Sequence, residues 1–175
     1  MPSVNTASRS GRTGTTRRED RVQPRFLIRT LDEAFHGPAW HGPALKATLH
    51  GCTPAEAERR LAPGRNTVRE LVLHAAYGKH IVRARLTSDP RRFPRPLRRP
   101  WWPKTVNLSP DGWREDLALL DTAHAALVES LANMTPAGLV RRRPGKRHTL
   151  GEEIIGIVLH DTYHAGQIAL IRKLV

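Results

Sequence analysis

Thr67-Val-Arg-Glu70 and Thr149-Leu-Gly-Glu152 each stand directly before an apolar-periodic run, and these helix-start signals constrain the fold more than anything else in the chain. In such a capping box the threonine hydroxyl accepts from the backbone N–H three residues on, while the glutamate accepts from the threonine N–H. Thr53-Pro-Ala-Glu56 is a third box with proline at the first helical position, and Ser109-Pro110 is a further cap. No segment shows the two-residue alternation of a half-buried strand, and β-branched runs are absent. The chain is expected to be all-α.

The spacing predicts a first short amphipathic helix in FLIRTLDEAF, with Phe26, Leu27, Leu31 and Phe35 on one face and His36-Gly37-Pro38 as its stop. A short helical piece follows around Leu45 to Leu49. The Thr53 helix is expected to end near Pro63-Gly64, the Thr67 helix near Thr87 and the Ser109 helix near Met134. The last helix runs from Thr149 towards the end of the sequence. Residues 88–110 hold six prolines and read as a long irregular connection. Four main helices in a bundle, forming one domain over 25–175, are the expected architecture. Residues 1–24, rich in Ser, Thr, Gly and Arg, read as a disordered basic tail.

Composition narrows the function classes. The net charge is +13, but six arginines fall in residues 1–25, and two further clusters, Arg91 to Arg99 and Arg141 to Arg147, sit in proline-containing segments between helices. Solvated arginine-rich loops explain them, and at most weak, salt-sensitive, non-specific nucleic-acid binding is expected. The clustered carboxylates of two-metal nucleases and polymerases are missing. Cys52 is the only cysteine, which excludes an internal disulfide, and it reads as an ordinary half-buried side chain. No run is apolar for the roughly 20 residues a membrane span needs, and the first residues lack the apolar stretch of a signal peptide. A cytoplasmic protein without a membrane partner is expected.

His160 and His164 lie four residues apart in IVLHDTYHAGQIALIRKL. At about 100° per residue, His164 lies about 40° from His160, Ile157 at about 60°, Ile171 at about 20° and Gln167 at about −20°. The two imidazoles therefore interrupt an apolar stripe, where each must find a hydrogen-bond partner or a metal. His74 faces the same way on its own helix, sharing an arc with Leu71, Tyr77, Gly78 and Ile81, whereas His80 points elsewhere. Three histidines with an open fourth position would form a catalytic rather than a structural zinc-type site. Satisfied core histidines are the other reading of the same spacing. His160-Asp161-Thr162-Tyr163-His164 also approaches the H-E-x-x-H of zinc peptidases, but the shorter Asp161 reaches a metal-bound water poorly. Asp161 reads instead as an exposed or helix-pairing carboxylate.

The run TLGEEIIGIVLHDTYHAGQIALIRKL, with its H-x-x-x-H-x-G-Q-I core, is similar to the DinB-like (DinB/YfiT) superfamily, and NTVRELVLHAAYGKHIVRARL resembles that family's second helix with its first metal histidine. The resemblance covers about residues 25–175 and excludes the tail and the Arg/Pro-rich connection. It implies a four-helix bundle of up-down-down-up order and often a homodimer. It also implies that His74, His160 and His164 bind a divalent metal, usually zinc or nickel. Members with known activity include transferases and isomerases that use the low-molecular-weight thiols bacillithiol or mycothiol. The expected function is thus a metal-dependent thiol transferase or hydrolase acting on a small-molecule substrate, with no catalytic side chain beyond the ligands assigned. The alternative is a non-catalytic stress-response binding or scaffold protein with a structural metal. Trp101, Trp102 and Trp113 lie near the connection, where they pack in the core, anchor the loop or cover the mouth of such a site. Gln167, on the histidine stripe, is placed to orient a ligand or to bond a neighbouring helix.

Overall fold

The computed structural model describes residues 23–89 and 91–174. The basic tail of residues 1–24 lies outside this range except for Gln23 and Pro24, which begin the first helix. Seven helices and one small ribbon follow in order: α1 (Pro24–Phe35), α2 (Leu45–Leu49), α3 (Pro54–Glu58), α4 (Val68–Thr87), β1 (Leu97–Arg99), β2 (Trp102–Pro103), α5 (Pro110–Ala132), α6 (Pro136–Leu139) and α7 (Leu150–Leu174). The three Thr-x-x-Glu boxes form, with the hydroxyls of Thr53, Thr67 and Thr149 accepting from the N–H of Glu56, Glu70 and Glu152. Ser109 accepts from Gly112 N–H in the same way. Each such cap is worth about 1 kcal/mol.

Helix ends depart from expectation more than starts. The Thr53 helix stops at Glu58, not near Pro63, because Arg59 turns extended. There Glu58 accepts from Arg69 at 2.8 Å, and Arg60 reaches Glu70 at 3.0 Å. The connection after α4 is largely irregular, but it contains the antiparallel β1–β2 ribbon, closed by a positive φ of 69° at Trp101. That ribbon corrects the expectation of no strand. The one-turn helix α6, capped by Thr135, was likewise not foreseen.

The four long helices bury their apolar faces on one another. α1 rests on α5 and α7, and α4 rests on α5 and α7. One apolar cluster joins Phe35, Leu45, Val72, Leu120, Ile168 and their neighbours, and another joins Leu31, Leu86, Leu131, Leu150 and Ile154. Along α4 and along α7 the two clusters are separated by a buried ion pair, Lys79 with Asp161, both fully shielded from solvent. Asp161 is therefore not exposed; it is a helix-pairing carboxylate in the centre of the core. A second buried cation, Arg69, spans from Asp116 at 2.7 Å to Glu58.

α7 is apolar enough, by length and mean hydropathy alone, to pass for a membrane span, contrary to the sequence expectation. Its inner face nevertheless carries Asp161 and His164 and packs on α1, α2 and α4, so it serves as a core helix. The hydropathy is high because a second, outward face of α7 is apolar too.

Candidate metal centre

His74 sits in the second turn of α4, and His160 and His164 sit one turn apart in α7. Because the two helices pack together, the three imidazoles meet. His160 Nε2 lies 3.0 Å from His74 Nε2 and 3.1 Å from His164 Nε2. His164 is buried and the other two are half-buried.

The outer ring nitrogens explain why the Nε2 atoms converge. His74 Nδ1–H donates to the carbonyl of Trp101 at 2.7 Å, and His164 Nδ1–H donates to Gln167 Oε1 at 2.7 Å. A carbonyl can only accept, so both rings are held with an unprotonated Nε2. Gln167 is itself oriented by donating from Nε2 to the Tyr163 hydroxyl at 3.1 Å. The Trp102 ring stacks on His74 with centroids 4.2 Å apart and planes 7° from parallel. The ribbon thus fixes His74 twice, through a backbone oxygen and an indole face. Gly78 leaves room for His160: a Cβ there would stand 3.3 Å from His160 Cε1.

These donors fit a divalent cation. Nitrogen ligands at about 2.0–2.1 Å from a tetrahedral ion stand about 3.3–3.4 Å apart, close to the separations seen. Without a cation, two fixed lone pairs face one nitrogen that can donate to only one of them. His160 Nδ1 is buried and has no partner. Burial holds the His160 pKa down at about 3, helped by His164 and His74, and holds His164 down at about 4. His74 is lowered as well, mainly by desolvation. At neutral pH all three rings are neutral and able to ligate.

The trio opens onto a groove of about 720 Å³ between α4 and α7. Gly78, Val82, Gly156, Ile157 and Trp101 line it, with Arg85 beside Glu153 at its edge. His164 lies behind the groove and His74 and His160 border it.

Asp32, His36 and His124 also gather within reach of one another. Here His124 Nε2 bonds Asp32 Oδ1 at 2.8 Å and its ring stacks on Phe35 at 3.8 Å. Burial and the nearby Lys79 ammonium push the His124 pKa down to about 4. That positive charge opposes a second cation, and the cluster reads as a hydrogen-bonded packing unit. Trp113 belongs to the core, donating from Nε1 to the Cys52 carbonyl at 3.1 Å. Cys52 is buried, and burial raises its thiol pKa, which makes it a poor nucleophile.

A pH dependence follows for the metal-free protein. Unfolded imidazoles protonate near pH 6.5, whereas His124 and His164 protonate at about 4 and His160 at about 3 in the fold. Between those values the unfolded chain binds more protons, so folding stability falls as the pH drops. It is full above about pH 6.5 and is lost progressively through about pH 4 and below. Denaturant midpoints taken between about pH 6.5 and 5, above the carboxylate range, should fall with pH, and less steeply in His160→Ala.

No curated protein and no solved structure matches the chain. The three histidines, the glycine that admits His160 and the glutamine behind His164 all lie within residues 39–168, the span matched by the family model of the DinB superfamily. With that match over most of its length, the chain belongs to the DinB superfamily.

Proposed function

We propose that His74, His160 and His164 hold a divalent metal, zinc or nickel, and that the protein is a thiol-dependent transferase of the bacillithiol or mycothiol type, or a hydrolase. The observation that carries this reading is the convergence of three Nε2 atoms, two with tautomers fixed from behind, at the end of an open groove. When bound, the ion supplies Lewis acidity that lowers the pKa of a thiol or a water at its open position. The protein's own part is positioning. Trp101 and Gln167 keep the ligand nitrogens unprotonated, Trp102 stacks on the His74 ring, and Gly78 leaves room for the ring of His160.

The scaffold is read as an up-down-down-up four-helix bundle. Arg69 and Asp116 pair near the starts of α4 and α5, which supports parallel neighbours. Arg85 near the end of α4 meets Glu153 near the start of α7, which supports an antiparallel pair. Leu27 and Leu31 of α1 share a cluster with Leu150 and Ile154 of α7, which supports a parallel one.

The test is turnover by zinc- or nickel-loaded protein of a chromogenic electrophile with a low-molecular-weight thiol, or of an ester without one. Turnover that needs the metal and disappears in His160→Ala is expected. A second reading is favoured by the ligands lying on two different helices, because an ion there also clamps α4 to α7. Bound metal without turnover, in a chain that is largely unfolded when stripped, would replace the catalytic reading with a structural one.

A further inference from the structure

The side of α4 turned away from the histidine trio carries the inference. Gly78, Val82 and Arg85 follow His74 along the groove, whereas His80, Arg83 and Thr87 face a second cavity, of about 510 Å³, between α4 and α5. That volume suits a small molecule. The cavity and the groove share no lining residue. The chain beyond α4 forms the rim of the second cavity and is held there at several points. Asp89 Oδ1 accepts from the Arg91 N–H, and Oδ2 accepts from the Arg83 guanidinium, both at 3.0 Å. Phe93 packs edge-on against His80 and Tyr77, with ring centroids 5.4 and 5.2 Å away.

The two walls of this cavity differ in chemistry. On the α4 side and the rim, Arg83 and Arg91 share the single carboxylate of Asp89. Arg92 lines the same wall, is exposed and has no acidic partner among the described residues. Three guanidinium groups therefore meet one carboxylate, and N–H donors remain over. The α5 side offers acceptors. Thr122 and Ser130 donate their hydroxyl hydrogens to the carbonyls of Ala118 and Ala126 at 2.8 Å, so only lone pairs are left for the cavity. Glu129 adds an exposed carboxylate that has no cationic partner among the described residues. Leu119, Ala123, Ala126 and Phe93 supply apolar surface between these groups, and the two alanines leave the floor open.

A ligand that is only an anion would satisfy the arginines and be repelled by Glu129. One that is only a cation would satisfy Glu129 and be repelled by the arginines. We propose that the cavity binds a small zwitterion, its carboxylate at Arg91 and Arg92, its ammonium at Glu129 and its apolar body on Leu119, Ala123 and Ala126. A free amino acid with a large apolar side chain and a short peptide carrying one share this chemistry. The site lies outside the metal centre and needs no metal.

The experiment is titration calorimetry of the full chain with four compounds: phenylalanine, phenylalanylglycine, 3-phenylpropionate and phenethylamine. Each is titrated into metal-free and zinc-loaded protein. A zwitterion is expected to bind about 10-fold or more tightly than either singly charged compound, equally with and without zinc. Preference for phenylalanine identifies a free amino acid as the source, and preference for phenylalanylglycine a peptide. Arg92→Ala and Glu129→Gln should each weaken binding by about 10-fold, the effect of one hydrogen bond to a charged group. Arg114→Ala, which removes an exposed arginine outside the cavity, should leave it unchanged. All three positions are exposed, and unchanged helix content checks each fold. No binding of either zwitterion, equal binding of 3-phenylpropionate, or binding that survives both cavity substitutions overturns the proposal. So does an equal loss in Arg114→Ala, which would reduce the effect to the net positive charge of the surface. Binding is read in the metal-free protein, so failure of this site and failure of the metal reading remain distinct.

Discussion

Replacing His160 with alanine should abolish stoichiometric metal binding while leaving the helix content intact. His160 is the central member of the trio, since its Nε2 alone lies within 3.1 Å of both other ligand nitrogens. Removing it leaves two donors on different helices and no facial set of three. Alanine is the best helix former, and position 160 lies in the middle of α7, so the backbone has no reason to fray. The loss should exceed that of Gln167→Leu, which keeps all three ligands and removes only the acceptor behind His164. Loss of such a supporting partner costs about 10–100-fold in affinity. Elemental analysis, competition with a chromogenic chelator and far-ultraviolet circular dichroism measure the three quantities. Full metal content in His160→Ala would remove the histidines from the ligand role and return them to the core.

The helix starts were legible because a capping box is a local device, complete within four residues. The ends were not, because Arg59 turns out of α3 to suit contacts with α4 that lie far along the sequence. The inward direction of His74, His160 and His164 followed from helical periodicity alone. What holds them did not follow in full. Gln167 was readable as a neighbour on the stripe, but the acceptor for His74 is a backbone carbonyl, which no residue type encodes. Its position depends on a ribbon of three and two residues in a segment whose prolines suggest only irregular chain. For Asp161 the residue pattern left two readings, exposed or helix-pairing, and the second is the one observed. Between His160 and His164 it attracts comparison with a catalytic carboxylate, yet its angle on the wheel falls between Ile168 and Ile154, at the centre of the buried face. An acid there needs a cation from another helix, and Lys79 supplies it.

That pair carries the other large expected effect, on stability. Lys79→Met should destabilise the fold by about 3–5 kcal/mol, because it strands the Asp161 carboxylate in the core. Burial pushes Lys79 towards its neutral form and Asp161 likewise; Lys79 alone opposes this for Asp161, while Asp161 and, more weakly, Asp32 oppose it for Lys79. The Lys79 ammonium also rests 4.6 Å from the centre of the Phe35 ring, while Asp161 Oδ1 has no hydrogen-bond partner. The pair is thus incompletely satisfied even when whole, and its desolvation cost is only partly offset. The double variant Lys79→Met/Asp161→Leu should therefore recover most or all of the lost stability. Both side chains would then join the two apolar clusters that the ion pair now separates. Urea midpoints for the wild type, the two single variants and the double variant give the coupling directly. Metal affinity in the same four proteins separates two roles. Lys79 follows His74 by five residues on α4, and Asp161 follows His160 by one on α7, so the pair ties the two helices together close to these histidines. If the double variant is stable but binds metal more weakly, the ion pair is a register device for the centre. If it is stable and binds metal as tightly as the wild type, packing alone sets that register, and the buried charges are a cost that the metal centre does not need.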